Sequence, residues 1–315
     1  MHQMPMTSPV LALFGPTAAG KSTLAHAAAR GLDAEIVVAD PFQRYRGLEI
    51  AADAPSAQQR AEVPYHFVGD LALSDASSAG AFGHSAHATI DAIRARGRVA
   101  IVTGGTALYL RAALTDLGFP PPVEPATRAW AEALVAADGS QAAAELARRD
   151  PAAAARVDLA NPRRLVRALE IAATHGAVRH PTGRLWDESM RVPTWLGVVA
   201  RPRSVLDELI RLRVRRELDD GLVGELERAL DTPGASREAL QIIGAREVAD
   251  VRAGRLTADE LPDVLAARTR RLARRQLAWA RRWPRAHVID LGDGPPSHAL
   301  PELLAAWRHG VLAAG

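Results

Sequence analysis

The chain has no cysteine, a single lysine and no long apolar run. The absence of cysteine excludes disulfides and metal sites built from thiolates. No segment approaches the roughly 20 apolar residues of a membrane-spanning helix, and the first ten residues lack the basic and apolar regions of a secretory signal. The composition, 48% hydrophobic and 24% charged over 315 residues, is typical of a globular protein with one large or two modest domains. We therefore expect a cytoplasmic protein without a membrane contact.

The single lysine is conspicuous because 38 of the 39 lysine and arginine residues are arginines. Lys21 lies in GPTAAGKS (residues 15–22), which matches the phosphate-loop pattern G-x-x-x-x-G-K-[ST]. An ammonium is a compact charge on a flexible stem, whereas a guanidinium is a wide planar fork, so a loop wrapped around phosphates favours lysine. The motif predicts phosphate or diphosphate binding by Gly15, Pro16, Thr17, Ala18, Ala19, Gly20, Lys21 and Ser22.

The segments on either side of this loop agree with its predicted chemistry. Residues 9–14 are an apolar run that predicts a buried strand, and residues 22–30 predict a helix that ends at Gly31. Strand, glycine loop and helix N-terminus form an arrangement in which backbone N–H groups converge on an anion. The Ser22 hydroxyl would then be free to hold Mg²⁺. The motif alone does not define the reaction, so a kinase or an ATPase remains open.

Strands and helices alternate in the first part of the chain. Apolar runs at 35–39 and 98–103 predict two further strands, with a helix over 84–96 between them. This rhythm predicts an α/β fold with a parallel sheet flanked by helices. Ligands of such sheets bind beyond the carboxyl ends of the strands. The residues predicted at such ends are Asp40, Gly104, Gly105 and Thr106.

Asp40 is the candidate acid–base group of this chain. A carboxylate at the end of the second strand could accept a proton from an attacking group, or it could hold Mg²⁺. It could equally form a turn before Pro41. The sequence leaves these alternatives open.

A proline-rich segment at 119–123 interrupts the alternation, and residues 125–175 are helical in pattern, without a convincing strand. Strands are predicted again at 194–200 and 287–290, separated by helical stretches at 204–231, 235–252 and 257–283. We therefore expect four regions: the first part of the α/β core at 1–111, a helical insertion at 112–192, a return to the core with basic helices at 193–290, and a tail with a short helix at 291–315.

Eight arginines lie between Arg268 and Arg285 without an intervening acidic residue. Such a cluster is typical of a surface that binds a nucleic-acid backbone, but it is also typical of a solvated helix face. We expect the interleaved Trp279 and Trp283 to pack in the core.

Seven segments of the chain carry a resemblance to one known family. They are GPTAAGKS (15–22), ADPFQRYRGLEI (39–50), GGTALYLRA (104–112), NPRRLVRALE (161–170), the Arg213-Val214 and Gly221-Leu222-Val223 segment, QIIGAREV (241–248) and TRRLARRQLAWARR (269–282). In this order and spacing the chain resembles the tRNA dimethylallyltransferases, which prenylate the adenosine 3′ of the anticodon. The resemblance implies a P-loop NTPase-like parallel sheet flanked by helices, with an inserted all-helical tRNA-binding domain.

The resemblance also implies ligands and roles for individual residues. The donor would be dimethylallyl diphosphate, bound with Mg²⁺ by the phosphate loop, and the acceptor would be the anticodon stem-loop of tRNA. No obligate protein partner is implied. Asp40 would be the general base for the N6 amine, and the catalytic set would also include Lys21, Thr106 and Arg213. The implied tRNA contacts are Asp40, Pro41, Phe42, Gln43, Thr106, Arg128, Arg163, Arg164, Leu165, Val166 and Arg167.

The chain departs from the family pattern at several positions. The family's Asp-Ser-x-Gln stands here as DPFQ (40–43), its Gly-Thr-Ala-Lys-Pro as AADAP (51–55) and its Pro-His-His as PYH (64–66). Two alternatives to tRNA prenylation follow: an adenylate isopentenyltransferase acting on a free nucleotide, and a non-catalytic RNA-binding paralogue. The helical insertion and the arginine cluster argue against the first of these, because a small acceptor needs neither.

Overall fold

The computed structural model describes residues 9–120, 123–176, 189–283 and 285–314. The chain divides into two compact units, one formed by residues 1–117 with 185–315 and the other by residues 118–184. The first unit contains the sheet, and the second is built from helices.

Six parallel strands form one sheet among the described residues: β1 Val10–Phe14, β2 Ala34–Val38, β3 Tyr65–His66, β4 Val99–Gly104, β5 Thr194–Ala200 and β6 His287–Asp290. Their order across the sheet is β3-β2-β4-β1-β5-β6. This confirms the predicted α/β fold with a parallel sheet flanked by helices. Only β3 was not predicted, because two residues are too few to show a periodic or apolar pattern.

The helices described in the first unit are α1 Lys21–Leu32, α2 Ala57–Glu62, α3 Ala79–Ala95, α4 Ala107–Leu114, α9 Arg203–Asp219, α10 Leu222–Asp231, α11 Ala245–Arg252, α12 Leu261–Ala280 and α13 Leu300–Ala314. The single helical stretch predicted over 204–231 is two helices. The break falls at Gly221, whose φ of 96° is a left-handed conformation that suits glycine.

Strand β1 shows how the sheet is buried on both faces. Val10, Ala12 and Phe14 pack with α3 and α4 on one face, whereas Leu11 and Leu13 pack with α1 and α13 on the other. All five side chains are fully buried, as expected for the central part of a parallel sheet.

Two predictions about the rest of the core can be compared with the structure. Trp283 is 7% exposed and packs edge-on against Phe14, with ring centroids 4.6 Å apart, which confirms its predicted place in the core. In the segment expected as a tail, Leu303 and Trp307 of α13 are fully buried. This helix therefore belongs to the core.

The second unit consists of four described helices: α5 Pro125–Ala137, α6 Gly139–Arg149, α7 Pro151–Ala154 and α8 Pro162–His175. The side chains of Asp150 and Asn161 accept backbone N–H groups at the starts of α7 and α8, in the usual manner of helix caps. Leu146, Leu165 and Leu169 form the small core that holds these helices together.

The helical unit is narrower than the predicted insertion of 112–192. Residues 112–114 complete α4 and are buried against the sheet, and the N–H of Arg191 donates to the Leu114 carbonyl at 2.8 Å. Residues next to Arg191 are thereby joined to the sheet unit. No helix among the described residues is long and apolar enough to cross a membrane.

Gly104 provides a test of how closely β4 approaches β2. A Cβ at Gly104 would lie 2.3 Å from the carbonyl oxygen of Ala39, a backbone atom of the neighbouring segment that cannot rotate away. We expect Gly104→Ala to lower the free energy of unfolding by at least about 1–3 kcal/mol, measured by urea denaturation.

Gly31 in α1 is the matched control. A Cβ there would meet only Leu304 Cδ1, at 3.8 Å, an ordinary contact. Gly31→Ala should therefore raise stability by about 0.5–1 kcal/mol through helix propensity. Equal stability of the two variants would contradict the close approach at Gly104.

Candidate phosphate-binding and acid–base site

The phosphate loop joins β1 to α1 at the carboxyl end of the sheet. Its backbone turns sharply, with φ of 63° at Ala18 and 94° at Gly20. A Cβ at Gly15 would lie 2.8 Å from the Val199 carbonyl oxygen of the neighbouring strand, so the loop starts where only glycine fits. The loop leads directly into the N-terminus of α1, where backbone N–H groups favour an anion.

Arg201 supports the loop from its outer side. Its guanidinium donates to the carbonyls of Ala19 at 3.0 Å, Gly292 at 3.0 Å and Gly294 at 2.8 Å. The segment that follows β6 is therefore fastened to the loop, and a Cβ at Gly20 would touch the ring of Pro296. The sequence pattern gave no indication of this support.

Two cavities open beside Lys21, Ser22 and Asp40. The larger, of about 500 Å³, is lined mainly by polar side chains, Gln43 and Thr103 among them. The smaller, of about 100 Å³, also reaches Arg213 and has apolar walls contributed by Val214, Leu222, Ile242, Ile243, Leu265 and Leu272. The predicted phosphate loop, the predicted base and the predicted arginine therefore meet at one place.

Burial shifts the two central charges in opposite directions. Burial, and then the neighbouring Arg213, lower the pKa of Lys21 to about 8, although Asp40 and Asp53 act to raise it. Burial raises the pKa of Asp40, despite a hydrogen bond from the Phe42 N–H and the proximity of Lys21. Each group is thus closer to exchanging its proton near neutral pH than an exposed one would be.

Asp40 also forms the turn that the sequence left as an alternative. Its Oδ1 accepts the N–H of Phe42 at 2.9 Å, which shapes the backbone after β2. The backbone of Gln43 also forms a hydrogen bond with this carboxylate, yet the pKa of Asp40 stays raised because of burial. The turn and the acid–base role are therefore compatible.

Arg213 of α9 is held against the loop by defined contacts. It donates from Nη1 to Thr17 Oγ1 at 2.8 Å and from Nε to Glu217 Oε1 at 2.6 Å. Nη1 also forms an ion pair with Asp53 at 3.1 Å. Burial would lower the pKa of Arg213, but Asp53 and Glu217 more than compensate, so the guanidinium stays charged.

Gln276 of α12 is a site residue that the sequence did not reveal. Its Oε1 accepts the Thr17 N–H at 2.8 Å, and its Nε2 donates to the Gly105 carbonyl at 3.0 Å. The side chain is 6% exposed and uses both ends of its amide. It therefore fixes the phosphate loop relative to the end of β4. A glutamine within an arginine-rich helix carries no sequence signal for such a role.

Thr103 is a further candidate site residue, three positions before the predicted Thr106. Of the two threonines, Thr103 lines the larger cavity together with Gly104 and Gly105, whereas Thr106 is absent from both linings as far as the described residues define them. The Thr103 hydroxyl is buried and has no hydrogen-bond partner among those residues. Such a group is usually satisfied by a ligand or water. Thr106 is the residue that immediately precedes α4, at the N-cap position.

Of the remaining predicted residues after β2, two line the cavities. Phe42 lines the smaller cavity and Gln43 lines both. Gln43, predicted to contact the adenine, donates its amide to the carbonyls of Ala52 at 3.2 Å and Asp53 at 3.3 Å. Pro41 is half-buried next to the Asp40 turn. In this state Gln43 shapes the pocket wall.

The predicted tRNA contacts of the second unit differ in exposure. Arg163 and Arg164 are exposed at the start of α8, and Arg128 and Arg167 are also exposed but pair with Glu170. Leu165, which the resemblance implies as a tRNA contact, is 1% exposed and its side chain packs in the core of this unit. Helical periodicity places it there. Val166, next to it, is partly buried against the same core.

The donor set at the larger cavity fits Mg²⁺. The Ser22 hydroxyl and the Asp40 carboxylate are oxygen donors that line the same space. Among the described residues no cluster of three or more His, Asp or Glu side chains could hold a metal by itself. Mg²⁺ usually takes one or two protein oxygens and completes its shell with phosphate oxygens and water.

The chain is similar to known proteins in both sequence and fold. A family model described as IPP transferase matches residues 43–283. A tRNA dimethylallyltransferase of Kineococcus radiotolerans is 39% identical over 295 residues, which cover 91% of this chain and 92% of that protein. A tRNA dimethylallyltransferase of Thermobifida fusca is 40% identical over 297 residues, which cover 91% of each. Among solved structures, a tRNA isopentenylpyrophosphate transferase of Bacillus halodurans is similar with a TM-score of 0.70 at 27% identity, over 98% of both chains.

The fold and the site define a phosphate-loop α/β protein that holds a half-buried ammonium and a half-buried carboxylate at one cavity. The family match extends over most of the chain, and the relatives match it over nearly their whole length. This chain belongs to the IPP transferase family.

The lowered pKa of Lys21 predicts that the affinity for diphosphate depends on pH. With a pKa of about 8 in the free protein, the ammonium is present below that pH and is lost above it. We expect the dissociation constant of inorganic diphosphate to rise by up to about tenfold per pH unit above this value, since the ligand must then restore the proton. Titration calorimetry over a series of pH values measures this change.

Lys21→Arg is the control, because guanidinium keeps its charge over this range. The variant should bind diphosphate more weakly at neutral pH, because the wide guanidinium does not fit the loop. Its affinity should no longer depend on pH in this range. If the affinity of this variant fell equally steeply with rising pH, the effect would belong to another group or to the ionisation of diphosphate itself.

Proposed function

We propose that this chain transfers a dimethylallyl group from dimethylallyl diphosphate to N6 of the adenosine at tRNA position 37, immediately 3′ of the anticodon. The products are diphosphate and N6-isopentenyladenosine, and the proposed setting is the cytoplasm. The observation that carries the proposal is that Lys21, Asp40 and Arg213 line one cavity together with apolar walls. The names of the similar curated proteins support the same reaction.

The donor has a charged diphosphate end and an apolar allyl end, and the smaller cavity has both charged and apolar walls. The loop N–H groups, the start of α1, Lys21 and Arg213 are placed to neutralise the charge that develops on a departing diphosphate. The apolar side chains of Leu222, Ile242 and Leu265 form a chamber for the allyl group. The whole smaller cavity, of which these side chains form one wall, has a volume of about 100 Å³ and suits a short group, since an apolar cavity of about 150 Å³ holds benzene.

The transfer step needs a base and correct alignment. The lone pair of N6 attacks the allylic carbon, the bond from that carbon to the diphosphate oxygen breaks, and N6 loses one proton. Asp40 accepts this proton, and its raised pKa makes it a stronger base than an exposed carboxylate. Because an exocyclic amine is a weak nucleophile, holding it in line with the allylic carbon supplies several kcal/mol.

Ser22 would hold Mg²⁺ at the larger cavity, while Asp40, which lines the same space, is left to act as the base. When bound, the ion neutralises part of the charge of the leaving diphosphate. Lys21 performs the same task from the loop without any metal.

The acceptor is bound through its phosphates and through a displaced base. On α12, Leu265, Ala273 and Gln276 face inward, while Arg271, Arg274 and Arg275 are exposed. No carboxylate of the described residues pairs with these three arginines. They form a basic stripe suited to an RNA backbone. The adenine must leave the anticodon-loop stack to reach Asp40, which costs a few kcal/mol and is easiest in an unpaired loop.

Asp40→Asn tests the base directly. Asparagine keeps the Oδ1 acceptor of the Phe42 N–H, and therefore the turn, but cannot accept the proton. We expect kcat to fall by about 100-fold or more, with tRNA affinity unchanged. The measurement follows label from dimethylallyl diphosphate into unmodified tRNA and, in parallel, into AMP.

Three results would contradict the proposal. Label in AMP would favour action on a free nucleotide, and no label with either acceptor would favour a non-catalytic RNA-binding protein. Full activity of Asp40→Asn would leave Asp40 as a turn residue only.

The basic stripe predicts a change in the salt dependence of tRNA binding. We expect the double variant Arg274→Gln, Arg275→Gln to reduce the slope of log K against log salt by about 1.5, since each lost phosphate contact removes about 0.7–0.9. Fluorescence anisotropy with labelled tRNA at several salt concentrations measures it. Arg255→Gln is the control, since Arg255 is exposed but bonds to Asp250 at 2.6 Å. An unchanged slope in the double variant would place the RNA elsewhere.

A further inference from the structure

Asp53 occupies a position between two arginines at the rim of the site. Its Oδ1 accepts from Arg216 Nη2 at 2.6 Å, and its Oδ2 forms an ion pair with Arg213 Nη1 at 3.1 Å. Asp53 lines both cavities together with Lys21 and Asp40. A carboxylate therefore lies at the arginine to which the proposed function assigns the diphosphate.

The backbone holds Asp53 in place. Its φ of 50° is left-handed, a conformation that Asp and Asn adopt more readily than most residues. The Gln43 amide donates to the carbonyl of Asp53, and the Glu225 carboxylate accepts the N–H groups of Ile50 at 2.9 Å and Ala51 at 2.8 Å. This segment is fixed to α10, so the position of the carboxylate is built into the fold.

Arg213 does not need Asp53 to stay in position. Its Nε bond to Glu217 at 2.6 Å and its Nη1 bond to Thr17 at 2.8 Å fix the plane of the guanidinium from two other sides. Removal of the Asp53 charge would leave these bonds intact. Asp53 therefore contributes charge at this point of the site rather than alignment.

The larger cavity already contains an excess of carboxylates. Lys21 and Arg216 are the described cations of its lining, and the described anions are Asp40, Glu49, Asp53, Glu217 and Asp220. Arg213 is already paired with the Asp53 carboxylate, so a diphosphate bound at Arg213 would lie close to a like charge, and like charges at close range repel strongly in a partly buried site. Binding requires an exchange of one anion for another.

We infer that Asp53 is an internal anion that competes with the diphosphate group for Arg213 and Arg216, and thereby limits how tightly the protein retains diphosphate. The inference rests on the proposed function in that the donor and the product both carry this group. Its consequence is weaker product retention: after transfer, the carboxylate returns to the arginines as diphosphate leaves.

The test compares Asp53→Asn with the wild type in binding of inorganic diphosphate. Asparagine retains the size of the side chain and the left-handed backbone but removes the charge. We expect the dissociation constant to fall by about tenfold or more, both with Mg²⁺ and with a chelator present, which corresponds to about 1.4 kcal/mol. Product inhibition by diphosphate should become stronger by the same factor.

Asp220→Asn is the matched control, because it removes one charge from the same cavity lining. Asp220 lies 3.9 Å from Arg216 and forms no ion pair with Arg213 among the described contacts. We expect its effect to stay below about threefold, as for a weak exposed pair. An equal gain in both variants would overturn the inference, since any carboxylate of the rim would then act alike.

Other outcomes also decide the question. Unchanged or weaker binding by Asp53→Asn would show that Asp53 organises the arginines, and weaker binding only with Mg²⁺ would show that it is a metal ligand. Both overturn the inference. The proposed function fails separately: a wild-type protein that binds diphosphate, responds to Asp53→Asn as expected and transfers no prenyl group to tRNA would refute the reaction and leave the role of Asp53 standing.

Discussion

The site depends on keeping an ammonium and a carboxylate charged side by side at the ends of buried strands. Burial disfavours both charges, since each loses part of its contact with water. Lys21 and Asp40 offset part of this cost for one another, and their shifted pKa values record what remains. The arrangement follows from the sheet order, because β1 and β2 both flank β4 and bring the phosphate loop and Asp40 to the same edge.

The helices of the C-terminal half complete what the loop begins. Thr17 accepts Arg213 of α9, 196 positions away, and donates to Gln276 of α12, 259 positions away. One side of α12 therefore aligns the phosphate loop, and the other side carries exposed arginines. If that face binds RNA as proposed, a single rigid helix relates the acceptor's backbone to the donor's diphosphate. Accurate mutual placement of two substrates is the main requirement of a transfer that uses a weak nucleophile.

The sequence predicts the parts of this protein that local pattern determines. Apolar runs indicated five of the six described strands, and motif and strand ends pointed to Lys21 and Asp40. It did not reveal Gln276 or Thr103, because the role of a neutral side chain depends on partners far away in the chain. The break at Gly221 was missed because the apolar pattern continues across it. Leu165 lies on the side of α8 that faces the core of the helical unit, so its side chain is buried. A local sequence pattern does not show which distant residue a side chain contacts in the fold.

The phosphate loop by itself could bind either ATP or a prenyl diphosphate. The preference between them must therefore come from the side chains that line the cavities. Leu222, Ile242 and Leu265 lie beside Lys21, and a polar group placed against them would lose hydrogen bonds to water without replacement. The rim carboxylates Glu49 and Asp220 disfavour a further phosphate in the larger cavity. A ligand with one diphosphate and one short apolar end satisfies both constraints. The same loop that suits a nucleotide in other surroundings is thereby suited here to a donor whose diphosphate departs.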